Sequence, residues 1–204
     1  ELNSNTKENN SFFEIKNIII EKTSLVNKVE IKKKLNKIYK KNILLIKKKD
    51  IKEPLSKVDF LEKIEVKKKY PNTIIVKIYE TKPVAVFFKD QKKYIIDNLS
   101  NLILFKENIN YGQLPTVYGK EAETFFLHFF KKLTNNDFPK QFITNLYYFQ
   151  IGRWDLQLTN NQIIKFPNKK IDSAIIKSIE LLNRKDFKNY KIIDLRVDGK
   201  IIVE

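Results

Sequence analysis

The sequence predicts an α+β fold, an N-terminal unit of β-α-α-β-β order followed by a mixed β unit with helices on one face. Three observations carry that expectation. Between residues 27 and 58 apolar side chains recur every three or four positions, whereas from Ile64 to Ile78 they alternate, so helices give way to strands. Pro83 then punctuates the chain, and beyond it come short apolar runs joined by polar turns. Two later stretches, 121–133 and 171–184, bring the helical spacing back. The expected organisation is a loose polar segment at 1–11, a first domain at 12–82 and a second at 83–204.

In the first unit, residues 13–20 read as a strand. Asn27 and Glu30 have the spacing of a capping box, opening a helix to about Tyr39 with Ile31, Leu35, Ile38 and Tyr39 on one face. A second, shorter helix starts near Asp50 with Pro54 close to its beginning, and Ile51, Leu55 and Val58 share a face. Ile64 and Val66 then lead through a Pro71-Asn72 turn into Ile74, Val76 and Ile78, two strands of period two.

In the second unit, strands are expected at 84–88, 94–97 and 102–105. The helix of 121–133 has a core stripe of Ala122, Phe125, Phe126, Phe129, Phe130 and Leu133. A strand at 142–151 precedes Trp154, Leu156 and Leu158, whose alternation with Asp155, Gln157 and Thr159 marks another. Asn160-Asn161 suits a two-residue hairpin turn into 162–166, because Asn tolerates positive φ. After the helix of 171–184, residues 192–197 and 200–203 form a terminal hairpin around Asp198-Gly199.

Composition narrows the function. The net charge of +16 suggests a polyanion partner, yet among 40 basic residues only Arg153, Arg184 and Arg196 are arginine, the type that grips phosphates and guanine edges bidentately. Such lysine richness, alongside abundant Ile, Asn, Phe and Tyr, is what an A/T-rich coding sequence produces, and no specific nucleic-acid partner is expected. No run of 18 apolar residues spans a membrane, and with no Met the chain is expected to be a fragment from which an N-terminal anchor or targeting segment has been cut away.

No enzyme is expected. Without Cys and with one His, nucleophilic triads and most metal sites have no residues to work with, so catalytic residues, metals and cofactors are all read as none. His128 falls opposite the phenylalanine stripe and reads as a surface residue. Gly112, Gly119, Gly152 and Gly199 stand alone in turns and form no phosphate cradle. Asp155 and Asp194 sit on the polar side of alternating strands, as solvated or ion-paired carboxylates. Trp154 shares a face with Leu156 and Leu158 and belongs to the core.

The stretch 60–88, with its Tyr70-Pro71 turn, a strand ending in Glu80 and the Pro83-Val84-Ala85 opening, resembles the POTRA-to-β-domain junction of the FtsQ/DivIB bacterial cell-division family. Ile96-Asp97, Leu114-Pro115 before Gly119, Arg153-Trp154 with Leu156 and Leu158, and Ile193 to Arg196 succeed one another in the family's order. The resemblance implies a short cytoplasmic tail, one membrane-spanning helix, then an extracytoplasmic POTRA domain and β-domain. It implies a non-enzymatic scaffold whose β-domain takes up FtsB, bound with FtsL, by strand addition to the last strand. The POTRA domain would meet other division proteins. The sequence ends at Glu204 without the extra C-terminal segment that many members carry, and has Val197 where some members carry an aromatic residue.

Two features add to that expectation. Arg153 and Arg196 keep the planar fork in a lysine-rich chain, either for carboxylates of a partner or for an internal pair with Asp194 or Asp155. Ile201, Ile202 and Val203 form an apolar strand with no Lys or Pro to block pairing, either an open edge or an internal strand. The expected partner-binding set is Arg153, Arg196, Val197, Asp198, Gly199, Lys200, Ile201, Ile202 and Val203, with Leu181 on the final helix as a further contact. Two alternatives remain open: a POTRA module of an outer-membrane assembly or secretion machine, and a basic nucleic-acid-binding protein.

Overall fold

The computed structural model describes residues 12–21 and 23–204, so the loose segment expected at 1–11 lies outside the described residues. The chain divides into two compact units, one ending at Lys82 and one running from Pro83 to Glu204.

The first unit has the β-α-α-β-β order. Strand β1 is Asn17–Ile20, helices α1 and α2 are Lys28–Lys34 and Lys48–Leu55, and strands β2 and β3 are Leu61–Lys69 and Thr73–Glu80. The sheet runs β1-β3-β2, with β1 parallel and β2 antiparallel to β3. Strand β1 begins four residues later than expected, because the main chain of Phe13 and Glu14 pairs with Ile43 and Asn42 and not with the sheet. Helix α1 also stops short of Tyr39. Its last turn gives way to a 3-10 turn at Asn36–Ile38, which stacks Ile38 three residues beyond Leu35 and buries both. Pro54 lies in the final turn of α2, where its missing amide ends the helix within two residues, and not near the start.

Two side chains fix the entry to α1. Asn27 Oδ1 accepts from the Val29 and Glu30 amides at 2.8 and 3.4 Å. The Glu80 carboxylate, at the far end of β3, accepts from the amides of Ser24, Leu25 and Val26 at 2.7 to 3.1 Å. The glutamate that closes the junction motif thus serves as a clasp between β3 and the approach to α1. Glu80→Ala is expected to lower the first unit's stability by about 1 to 3 kcal/mol, since three amides lose a charged acceptor, and urea unfolding followed by circular dichroism measures it.

The second unit is built on one nine-stranded sheet. Its elements are β4 (Pro83–Lys89), β5 (Lys92–Asp97), β6 (Leu102–Leu104), β7 (Thr116–Tyr118), α3 (Ala122–Asn135), β8 (Ile143–Phe149), β9 (Arg153–Leu158), β10 (Ile163–Lys165), α4 (Ile171–Leu182), β11 (Ile192–Asp194) and β12 (Ile202–Val203). Strand order is β12-β11-β10-β9-β8-β7-β4-β5-β6, with parallel pairs β4/β7, β7/β8 and β10/β11. Alternate residues such as Phe87, Val117, Leu146, Trp154, Leu156 and Ile164 form one cluster with Phe126, Phe129 and Leu133 of α3 and Ile175 and Leu181 of α4. Both helices therefore cover the same face.

The α3 seam differs from the expected stripe. Ala122, Phe126, Phe129 and Leu133 are buried, joined by Leu127, whereas Phe125 is 44% exposed at the helix flank, stacked on Tyr148, and Phe130 is half-buried. His128 is exposed, as expected. The β9–β10 connection is a three-residue turn with only Asn161 at positive φ, while Asn160 Oδ1 accepts from the Gln162 amide. The terminal hairpin is narrower than expected: Leu195 bonds to Lys165, keeping the chain on β10, and Asp198-Gly199 turns within a loop of residues 195–201.

Candidate partner-binding site

Strand β12 is the edge of the large sheet, held on one side by β11 through Ile193↔Val203 and Asp194↔Ile202. Main-chain bonds Ile192 N to Glu204 O and Glu204 N to Ile192 O make 192/204 a hydrogen-bonded pair. By antiparallel alternation 194/202 is the next, so the Ile202 amide points inward and the Val203 N–H and C=O point to the open side. Ile201 and Ile202 are exposed, Val203 is half-buried, and Val197, Asp198, Gly199 and Lys200 form the exposed loop leading in. Beside that loop lies a cleft of about 510 Å³, closed on its other side by Pro167, Lys170, Ser173 and Lys177 around the start of α4.

The face of the sheet opposite α3 and α4 carries a row set by register: Tyr118, Tyr147, Asp155, Lys165, Asp194 and Ile202 stand on neighbouring strands. Arg196 forks Asp194, with Nε 2.8 Å from both oxygens, Nη2 2.5 Å from Oδ2 and its own amide 3.0 Å from Oδ1. Arg153 Nε lies 3.4 Å from Asp155 Oδ1, and its guanidinium covers the Phe149 ring at 4.1 Å. Both carboxylates are buried, not on a water-facing side. Burial pushes the Asp155 carboxyl up against the pull of Arg153, Lys165 and Arg196. Burial also works on Asp194, but the Arg196 hydrogen bonds outweigh it and hold that carboxyl below its ordinary value.

Arg196 therefore has an internal acceptor, while Arg153 has an ion-pair partner in Asp155 without a hydrogen bond between Nε and Oδ1, and Arg196 still leaves 39% of its side chain exposed beside β12. Leu181 is the exception in the expected set. It is fully buried in the core and offers no surface to a partner, whereas Ile176 on the outer side of α4 is exposed. Lys165 escapes a reading of the sequence, because its place between Asp155 and Asp194 emerges only from register across three strands. Among the described residues no cluster of His, Asp and Glu is arranged to hold a metal, and no helix is long and apolar enough to cross a membrane.

The family model for the FtsQ-type POTRA domain matches residues 13–81. The cell division protein FtsQ of Rickettsia typhi is 28% identical over 197 residues, covering 94% of this chain and 73% of that protein. FtsQ of Rickettsia prowazekii is also 28% identical, over 94% of this chain and 72% of its own. The major extracytoplasmic domain of DivIB from Geobacillus stearothermophilus aligns over 52% of this chain and 99% of that one, at 11% identity and a TM-score of 0.34. The POTRA match coincides with the β-α-α-β-β unit and the relatives align through the nine-stranded sheet, so the chain is similar to FtsQ cell division proteins over both units, a POTRA domain of the FtsQ type followed by a β-domain.

Proposed function

We propose that this chain is a non-enzymatic scaffold of the cell-division machinery, and that its β-domain takes up an extended segment of an FtsB-like protein, bound with an FtsL-like one, by strand addition at β12. The role rests on its FtsQ relatives, and the mode of binding on one observation: β12 is an apolar sheet edge with the Val203 N–H and C=O facing outward. Main-chain bonds along Ile201 to Glu204 would supply affinity, and the neighbouring cleft with Val197 and the exposed part of Arg196 would receive side chains of the added strand. The same reading places the domains outside the cytoplasm behind a single membrane span, with the POTRA domain meeting further division proteins. The FtsQ type of the POTRA match favours it over a module of an outer-membrane assembly machine.

Charge reversal at Arg153 or Arg196 is a poor probe of this site, because it also sets a carboxylate against buried Asp155 or Asp194. Proline at the edge separates binding from folding. Val203→Pro removes an outward amide and is expected to leave the melting temperature nearly unchanged while weakening the FtsB-like segment about tenfold or more in titration calorimetry. Ile202→Pro deletes the inward bond to Asp194 and is expected to cost about 1 to 3 kcal/mol of stability. A Val203→Pro protein that binds like its parent would move the docking site away from β12.

A further inference from the structure

Residues 40–49 of the POTRA domain, Lys-Lys-Asn-Ile-Leu-Leu-Ile-Lys-Lys-Lys, join the two helical segments in an unusual arrangement. Ile43 and Ile46 are buried, while the two leucines between them face solvent, Leu44 at 52% and Leu45 at 76%, the highest exposure of any large apolar side chain among the described residues. The display is held in place by the main chain. The Ile43 amide donates to Phe13 O at 2.9 Å, Asn42 accepts from the Leu44 and Leu45 amides at 2.9 and 3.1 Å, and Lys68 Nζ donates to Leu44 O at 3.2 Å. On either side of the leucine pair in sequence, Lys40, Lys41, Lys47, Lys48 and Lys49 are all exposed. Asp50, the nearest carboxylate in sequence, is occupied by the Lys47 amide.

An exposed leucine pair flanked in sequence by five exposed lysines matches one kind of surface in both respects. Duplex nucleic acid would engage the lysines and leave the leucines in water. The boundary of an anionic bilayer offers phosphates for the ammonium groups and an acyl layer for the leucines, and long lysine stems reach the headgroups while apolar neighbours go deeper. We propose that the segment of residues 40–49, a loop leading into the first turn of α2, docks the POTRA domain on an anionic phospholipid surface, with Leu44 and Leu45 entering the acyl boundary and the five lysines resting on headgroup phosphates. This surface is separate from the β12 edge and holds whether or not strand addition does.

Co-sedimentation of the full chain with phosphatidylcholine vesicles, with and without phosphatidylglycerol, tests it. Binding is expected to vesicles containing phosphatidylglycerol and to be at least about tenfold weaker without it. Leu44→Ser with Leu45→Ser is expected to weaken binding about tenfold or more with charge unchanged. Lys47→Ser, Lys48→Ser and Lys49→Ser together are expected to weaken it about 100-fold. All these side chains are exposed, so circular dichroism should match the parent; if the double leucine variant differs, Leu45→Ser alone carries the test. Absence of binding to the anionic vesicles overturns the proposal. So does binding indifferent to the leucines, and so does duplex DNA displacing the vesicles from parent and leucine variant alike, which marks a charge-only polyanion surface.

Discussion

Phe129→Ala is expected to lower the stability of the β-domain by about 3 to 5 kcal/mol, the range for removing a buried aromatic ring whose surroundings cannot collapse. Phe129 lies flat on Trp154, with ring centroids 5.0 Å apart and planes 6° from parallel, and meets Phe166 edge-on at 5.8 Å. Trp154 in turn touches Phe126 and Tyr148. Removing the ring opens a cavity between α3 and strands β9 and β10, and the stacked neighbours are held by strand pairing on both sides. Trp154 is the only tryptophan, so its emission in a urea titration reports this domain alone. A shift of the midpoint by less than that for 1 kcal/mol would show that the helix re-seats on the sheet.

Gly119→Ala is expected to cost a similar amount, about 3 to 5 kcal/mol, for a different reason. Gly119 comes directly after β7 at φ +121°, a conformation that L side chains rarely adopt, and a Cβ there would stand 2.3 Å from the Tyr148 carbonyl oxygen and 3.1 Å from its carbon. The obstacle is main chain. Strand β8 is parallel to β7 through Val117↔Leu146 and Tyr118↔Tyr147, so it cannot retreat without breaking the ladder. Gly112→Ala is the matching control, with φ +73° but nothing within 4 Å of the added carbon, and about 1 kcal/mol is expected there. Equal losses in the two variants, measured by thermal melts, would show that φ and not the collision sets the effect.

Much of this architecture is legible in the sequence where a local period is strong. The β-α-α-β-β order and the positions of α3 and α4 come from spacing alone, because each long element buries one face. Several of the misplaced details depend on neighbours distant in sequence. Phe13 and Glu14 leave the first strand because residues 42 and 43 compete for their main chain. The hairpin closes late because Leu195 is bonded to Lys165. Phe125 leaves the seam because a stripe read at ideal spacing gives a helix face only to within about one residue, and the flank here is capped by Tyr148. At the candidate site, the last strand can be read from sequence as an edge or as an internal strand, and the side on which its amides point requires the register with β11. The arginines stand out by type, while their internal ion-pair partners require knowing that Asp155 and Asp194 are buried.

The parallel pairing of β1 with β3 has a consequence for how the chain is made. Ile18 and Ile20 find their neighbouring strand only in residues 74–76, and the Ser24 to Val26 amides find their acceptor only at Glu80. While the polypeptide is being synthesised, the leading strand must wait for the last one, some sixty residues behind it, so the POTRA domain closes late and as a single event instead of growing from its N-terminal end. Premature termination before Glu80 leaves the first strand and the approach to α1 without their partners, an unfinished product open to proteases.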